Sequence, residues 1–199
     1  PYVNGLYSTQ QYLDCLKTTW DEYQKRHKLS LKDFVAYCFH LPYPKLALKG
    51  LNKIMDKSLP QEQQDQLKEN FEKSILYSQK VGNIYTGSLF LGLLSLLENS
   101  DNLKAGDKIA LFSYGSGAVA EIFSASLVPG YEKQLSQTRL EELDQRQALS
   151  VEEYEHIFFA EAELDAEGNA SFSGYEDQSF ALAEIAEHQR KYIKVEKSS

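Results

Sequence analysis

Two prolines two residues apart, in Leu41-Pro42-Tyr43-Pro44, restrict this chain more than any other feature. Each locks its own φ, lacks an N–H and biases the residue before it toward extended backbone, so no helix crosses the segment. The six residues 34–39, FVAYCF, are apolar and β-prone and end on His40. Pro44 suits the first position of a helix, where a missing N–H costs nothing. The stretch therefore predicts a strand, a rigid turn and a helix, with His40 at the strand's carboxyl end, where ligands sit in open α/β sheets. Lys45, Lys49 and Lys53 follow at spacings of four and share one helical face. On this stretch alone the plainer reading comes first: a surface or core histidine beside a solvated lysine face.

With 42% hydrophobic residues in 199, the chain can bury a sizeable core, as one domain or a large half of a bigger one. A net charge of −8 argues against a general nucleic-acid surface, so an anionic ligand needs a local basic patch. No apolar run reaches the roughly 18 residues of a membrane span, and no basic-then-apolar leader precedes the first helix. Cys15 and Cys38 are too few for a disulfide framework or a metal cluster, which suggests a reducing cytoplasm. Beginning at Pro1 without a methionine, the chain reads as a piece of a longer one.

Residues 1–7 read as a lead-in, with Ser8 capping a helix to about residue 27. Tyr12, Leu13, Leu16, Trp20 and Tyr23 fall at helical spacing, which buries one face. Residues 1–29 are thus set apart as the end of a preceding region, with the main domain at 30–199. Cys38 and His40, two apart on a strand, invite a Cys–His nucleophile reading, against which stands an inert buried thiol. After a helix over 61–78, the turn Val81-Gly82-Asn83-Ile84-Tyr85-Thr86-Gly87-Ser88 leads into an apolar helix at about 86–98, expected to be buried. The start of that helix offers free N–H groups and a positive dipole end, or is an ordinary cap. A strand at 107–113 runs into Gly115-Ser116-Gly117, where two glycines permit close approach of a ligand, and a second strand follows at 122–128. Residues 136–163 read as helical, with Ser150 capping a second piece anchored by Tyr154, Ile157 and Phe158. Residues 180–195 read mostly as strand.

Three stretches, FHLPYPKLALKGL, VGNIYTGSLFLGLLSLLE and IALFSYGSGAVAEIFSASLV, occur together in this order. Jointly they resemble the hydroxymethylglutaryl-coenzyme A synthases of the bacterial type, in the thiolase superfamily. The resemblance covers nearly the whole chain but only the carboxyl-terminal half of the family. It implies half of a layered α-β-α-β-α fold, with a mixed sheet and a buried central helix. It also implies condensation of acetyl-CoA with acetoacetyl-CoA in isoprenoid precursor synthesis by the mevalonate pathway. Coenzyme A thioesters are then substrates, and no metal or other cofactor is implied. The family's acetylated cysteine and its glutamate acid/base belong to the amino-terminal half, and neither motif is present here. The resemblance thus implies a missing half as partner, a cytoplasmic homodimer when complete, and little activity for this part alone. Residue by residue, His40 resembles the catalytic histidine that holds the acetoacetyl-CoA thioester oxygen, and Asn83 the residue that orients the same substrate. Ser116 and Gly115 would lie against the acetoacetyl group, Tyr85 would line the pocket, and Lys45 and Lys49 would meet the coenzyme A phosphates or pantetheine.

Two rivals remain. A ketoacyl synthase of the same superfamily also uses a histidine and an asparagine, but its histidine typically precedes a glutamine-alanine-asparagine type turn rather than Leu41-Pro42-Tyr43-Pro44. A non-catalytic acyl-CoA-binding module is the second, supported by the absent nucleophile motif.

Overall fold

A computed structural model describes residues 5–115, 117–174 and 179–195. Compactness divides the chain into two units, residues 1–146 and 147–199, a different division from the boundary at 29/30.

The first unit begins with helix α1 (Gly5–His27), followed by a 3₁₀ turn at Leu31–Asp33 and strand β1 (Ala36–Phe39). Helices α2 (Pro44–Ile54), α3 (Gln61–Val81) and α4 (Gly87–Asn99) come next. Strands β2 (Lys108–Gly115) and β3 (Val119–Ser126) and the short helix α5 (Arg139–Asp144) complete it. The sheet order is β1-β2-β3, with β1 parallel and β3 antiparallel to β2. Pro44 occupies the start of α2, as the two-proline turn requires. Across the 3₁₀ turn, Ser30 N and Ser30 Oγ both donate to Asp33 Oδ2, at 2.7 and 3.0 Å.

Strand alternation sorts the core into two faces. Tyr37, Phe39, Ala110 and Phe112 point to one side, where Tyr12, Leu16 and Trp20 of α1, Leu46 and Leu51 of α2 and Phe71 of α3 cover them. Ala36, Cys38, Ile109 and Leu111 point to the other, against Leu89 and Leu96 of α4. Burying each Leu or Phe contributes about 1.5–3 kcal/mol, so the two faces together hold β1, a short edge strand buried on both sides. Gly92 lets α4 approach α3 closely, since a Cβ there would lie 3.3 Å from the Ser74 carbonyl oxygen. Asn70, fully buried, donates to Val35 O at 2.9 Å and accepts from Ser100 Oγ at 3.0 Å, which ties α3 to β1 and to the end of α4.

Several expectations need correction. Helix α1 begins by Gly5, so Ser8 lies inside the helix and is not its cap; nothing in Leu6-Tyr7-Ser8 breaks a helix. Helix α4 is buried along Ser88, Leu89, Gly92, Ser95 and Leu96, but Phe90 is 57% exposed, so burial is confined to one side. The helix expected over 136–163 is two short pieces, α5 and α6 (Val151–Phe158), separated by irregular chain. Ser150 does cap α6, accepting from Glu153 N at 3.2 Å. Tyr154, Ile157 and Phe158 are exposed, not anchors, because α6 has no sheet face against it in its own unit.

The second unit contains α6 and an antiparallel sheet of β4 (Ala170–Ser171), β5 (Phe180–Ala186) and β6 (Gln189–Lys194). The strand expected over 180–195 is thus a hairpin. Its turn residues, Glu187 and His188, both take positive φ, the geometry of a two-residue hairpin loop without its usual Asn or Gly.

Candidate active site

The carboxyl end of β1 holds His40 by its backbone on both sides. His40 N donates to Phe112 O at 2.7 Å, extending the parallel ladder by one residue. His40 O accepts from the Tyr12 hydroxyl at 2.9 Å. Tyr12 is 1% exposed and edge-on to Phe112 and Tyr114, so helix α1 braces the histidine from the core side. The sequence reading placed Tyr12 on the buried face but had no signal for this bond, since a core tyrosine and a bracing one have the same periodicity.

The imidazole itself reaches the 83–88 turn. Burial lowers the His40 pKa from 6.5, and a hydrogen bond to the Tyr85 backbone pulls it partly back up. A bond that favours the protonated ring is one in which the ring donates, so the acceptor is the Tyr85 carbonyl. Tyr85 is held at φ +55°, a region few non-glycine residues adopt. Its ring is 81% exposed, so it enters the site through its backbone. Asn83 Oδ1 accepts from Tyr85 N at 2.8 Å and from Ser88 Oγ at 3.0 Å, while Ser88 Oγ accepts from Ile84 N at 2.9 Å. His40 and Asn83, from distant parts of the chain, thus meet around one residue. Asn83 is exposed, and its amide NH₂ has no hydrogen-bond partner among the described residues.

Four of the N–H groups around the start of α4 are already used. Ile84, Tyr85, Gly87 and Ser88 all donate within the turn.

Lys45 and Lys49 lie on the first turns of α2, exposed, and neither has an ion-pair partner among the described residues. Lys53, on the same row, is paired with Asp14 at 2.8 Å. Gly115 ends β2 opposite Val119, and Gly117, at φ +88°, turns the hairpin. A Cβ added at either glycine would meet nothing within 4 Å, so the tip borders open space. Ser116 lies outside the described residues. A pocket of about 390 Å³ beside the tip is lined by Tyr7, Gln11, Tyr114, Gly117 and Ala118. The larger cavity, about 580 Å³, lies elsewhere, around Trp20, Gln24 and Pro60, and includes none of the expected site residues.

Cys38 is 1% exposed beneath α4, and burial pushes its thiol up to about 12. That excludes the Cys–His nucleophile reading, because the thiolate is the reactive form.

Comparison with known proteins shows the family and the fold. The family model for the C-terminal part of hydroxymethylglutaryl-coenzyme A synthase matches residues 51–193. Hydroxymethylglutaryl-CoA synthase of Enterococcus faecalis is 47% identical over 167 residues, covering 83% of this chain and 43% of that protein. The polyketide biosynthesis 3-hydroxy-3-methylglutaryl-ACP synthase PksG of Bacillus subtilis is 32% identical over 203 aligned positions, covering 93% of this chain and 48% of that protein. A crystal structure of HMG-CoA synthase complexed with CoA shares 70% identity and a TM-score of 0.90, covering 98% of this chain and 50% of that one. The chain therefore spans about half the length of the relatives it matches, and its mixed α/β fold is that of the corresponding half of their thiolase-like architecture. By family model, sequence and fold together, the chain belongs to the hydroxymethylglutaryl-coenzyme A synthase family, of which it carries the C-terminal region.

Proposed function

We propose that this chain is the acetoacetyl-CoA-binding part of a synthase that condenses acetyl-CoA with acetoacetyl-CoA to hydroxymethylglutaryl-CoA. The observation that carries the reading is the meeting of His40 and Asn83 at the Tyr85 backbone. Condensation joins an acetyl enolate to a ketone, and negative charge develops on the ketone and thioester oxygens. Preorganised donors aimed there are the main source of rate. The Asn83 NH₂ is such a donor. His40 gives one N–H to Tyr85, so its other ring nitrogen donates only when the ring is protonated. A developing oxyanion and a proton on His40 then stabilise each other.

Lys45 and Lys49, on the helix that leaves the His40 turn, are the basic patch an acidic chain needs for coenzyme A phosphates. Gly115, from the end of β2, and Ser116 border the acetoacetyl group. The acetylated cysteine and the glutamate acid/base come from the remaining half of the synthase, which also completes the site. The whole acts as a cytoplasmic homodimer in the mevalonate pathway, without a metal or other cofactor, and residues 1–199 alone do not condense. A coenzyme A substrate is favoured over a carrier-protein one by 47% identity to the CoA enzyme against 32% to the ACP enzyme.

The test uses the full-length protein with His40→Ala. Condensation with acetoacetyl-CoA falls by about 100-fold or more, the cost of losing one such donor, while covalent acetylation from acetyl-CoA continues. Equal loss of both half-reactions contradicts the assignment.

A further inference from the structure

We propose that Ser88 is a positioning residue that fixes which end of the Asn83 carboxamide faces the substrate. The inference rests on the role given to Asn83 above. Ser88 is fully buried at the start of α4, and its hydroxyl accepts from Ile84 N at 2.9 Å. Its single proton is given to the Asn83 carboxamide at 3.0 Å. Tyr85 N, which can only donate, is aimed at the same carboxamide atom at 2.8 Å. Two donors converging on one atom require that atom to be the oxygen. The flipped amide would set NH₂ against the Tyr85 N–H, losing that bond, and would turn the Ser88 hydroxyl from donor to acceptor. The NH₂ is thereby left as the outward end, a donor suited to a carbonyl or oxyanion and unsuited to a cation.

The same residue ties this arrangement to the histidine. Ser88 N donates to Tyr85 O at 3.0 Å, the carbonyl that also receives the His40 imidazole. Ser88 therefore holds the turn through both its backbone and its side chain: its amide on the oxygen that orients His40, its hydroxyl on the oxygen that orients Asn83. A hydroxyl at position 88 preorganises the two donors relative to each other without touching substrate.

The experiment is a double-mutant cycle on condensation by the full-length protein, with Ser88→Ala and Asn83→Ala. Ser88→Ala lowers kcat by about 10- to 100-fold when Asn83 is present, the scale expected for a misoriented catalytic group. In the Asn83→Ala background the same change has an effect of less than about twofold, because its target is gone. Ser88→Thr, which keeps the hydroxyl, restores most of the rate. Equal Ser88→Ala effects in both backgrounds overturn the proposal, since a merely structural role costs the same with or without Asn83. A Ser88→Ala variant that does not fold leaves Ser88→Cys, nearly isosteric but a weak donor; wild-type kcat in that variant overturns the proposal as well. An Asn83→Ala variant with wild-type kcat is a different outcome, which removes the role of Asn83 itself.

Discussion

The imidazole of His40 donates to the backbone carbonyl of Tyr85, at the same carbonyl that receives the Ser88 amide. The ring is thus half-buried with one nitrogen committed, and burial holds its pKa below 6.5. At neutral pH the free protein carries His40 uncharged. NMR titration of the imidazole resonances should give a midpoint below 6.5 that rises when acetoacetyl-CoA binds, since an oxygen facing the second nitrogen favours the protonated ring. A midpoint at or above 6.5 in the free protein contradicts the burial argument.

The same shift has a sign for stability. A histidine with a lowered folded pKa binds fewer protons folded than unfolded in mildly acid solution. Its contribution to stability is present above 6.5 and is lost as pH falls through the folded value. Denaturant midpoints of wild type and His40→Gln should therefore converge on acidification, and a difference independent of pH between 5 and 7.5 argues against the shift.

Glu98 is the most buried carboxylate of the α4 region, 1% exposed. It accepts from Tyr77 OH at 2.6 Å, Ser136 N at 2.8 Å and Arg139 Nε at 2.9 Å. Burial pushes its pKa up, but these bonds outweigh burial and leave it lowered. Removing one partner of a buried pair costs about 3–5 kcal/mol. Arg139 is 39% exposed and can rehydrate, so Glu98→Ala should destabilise at or below the low end of that range. Chemical denaturation measures it, and a loss under about 1 kcal/mol would show the cluster to be surface decoration.

Cys38 and Cys15 should differ sharply toward thiol reagents. Cys38 is enclosed between β1 and α4, whereas Cys15 is partly exposed on α1. In native residues 1–199, mass spectrometry after brief alkylation should find Cys38 unmodified, with modification only on unfolding. Rapid native labelling of Cys38 would mean that α4 does not cover the sheet as described.

Lys49 has no acidic partner among the described residues, so its charge is available to a phosphate. In the full-length protein Lys49→Ala should raise the KM for CoA esters by roughly fivefold, about 1 kcal/mol for an exposed ion pair, with kcat little changed. The effect should shrink as salt is raised. An unchanged KM removes Lys49 from the coenzyme A site.

Much of the site was legible because hard backbone constraints mark it. Pro42 and Pro44 force the strand–turn–helix that ends β1 at His40, and Gly82 with Asn83 stops α3 before α4 begins. What was not legible depends on tertiary contacts. Tyr12 reads as one more core aromatic, and only the fold shows its hydroxyl on His40 O. Ser88 reads as a helix-start serine, and only the turn geometry shows its hydroxyl on Asn83 Oδ1. The region after Asp144 misled for a different reason. Its helical periodicity is real, but α6 leaves its apolar side chains exposed in its own unit, so pattern alone overstated both helix length and burial.

A crystal structure of the full-length protein with acetoacetyl-CoA tests the central claim most directly. The account predicts a ring nitrogen of His40 and the Asn83 NH₂ each within about 2.7–3.2 Å of an acetoacetyl or thioester oxygen. A substrate seated with its oxygens away from both side chains would contradict it.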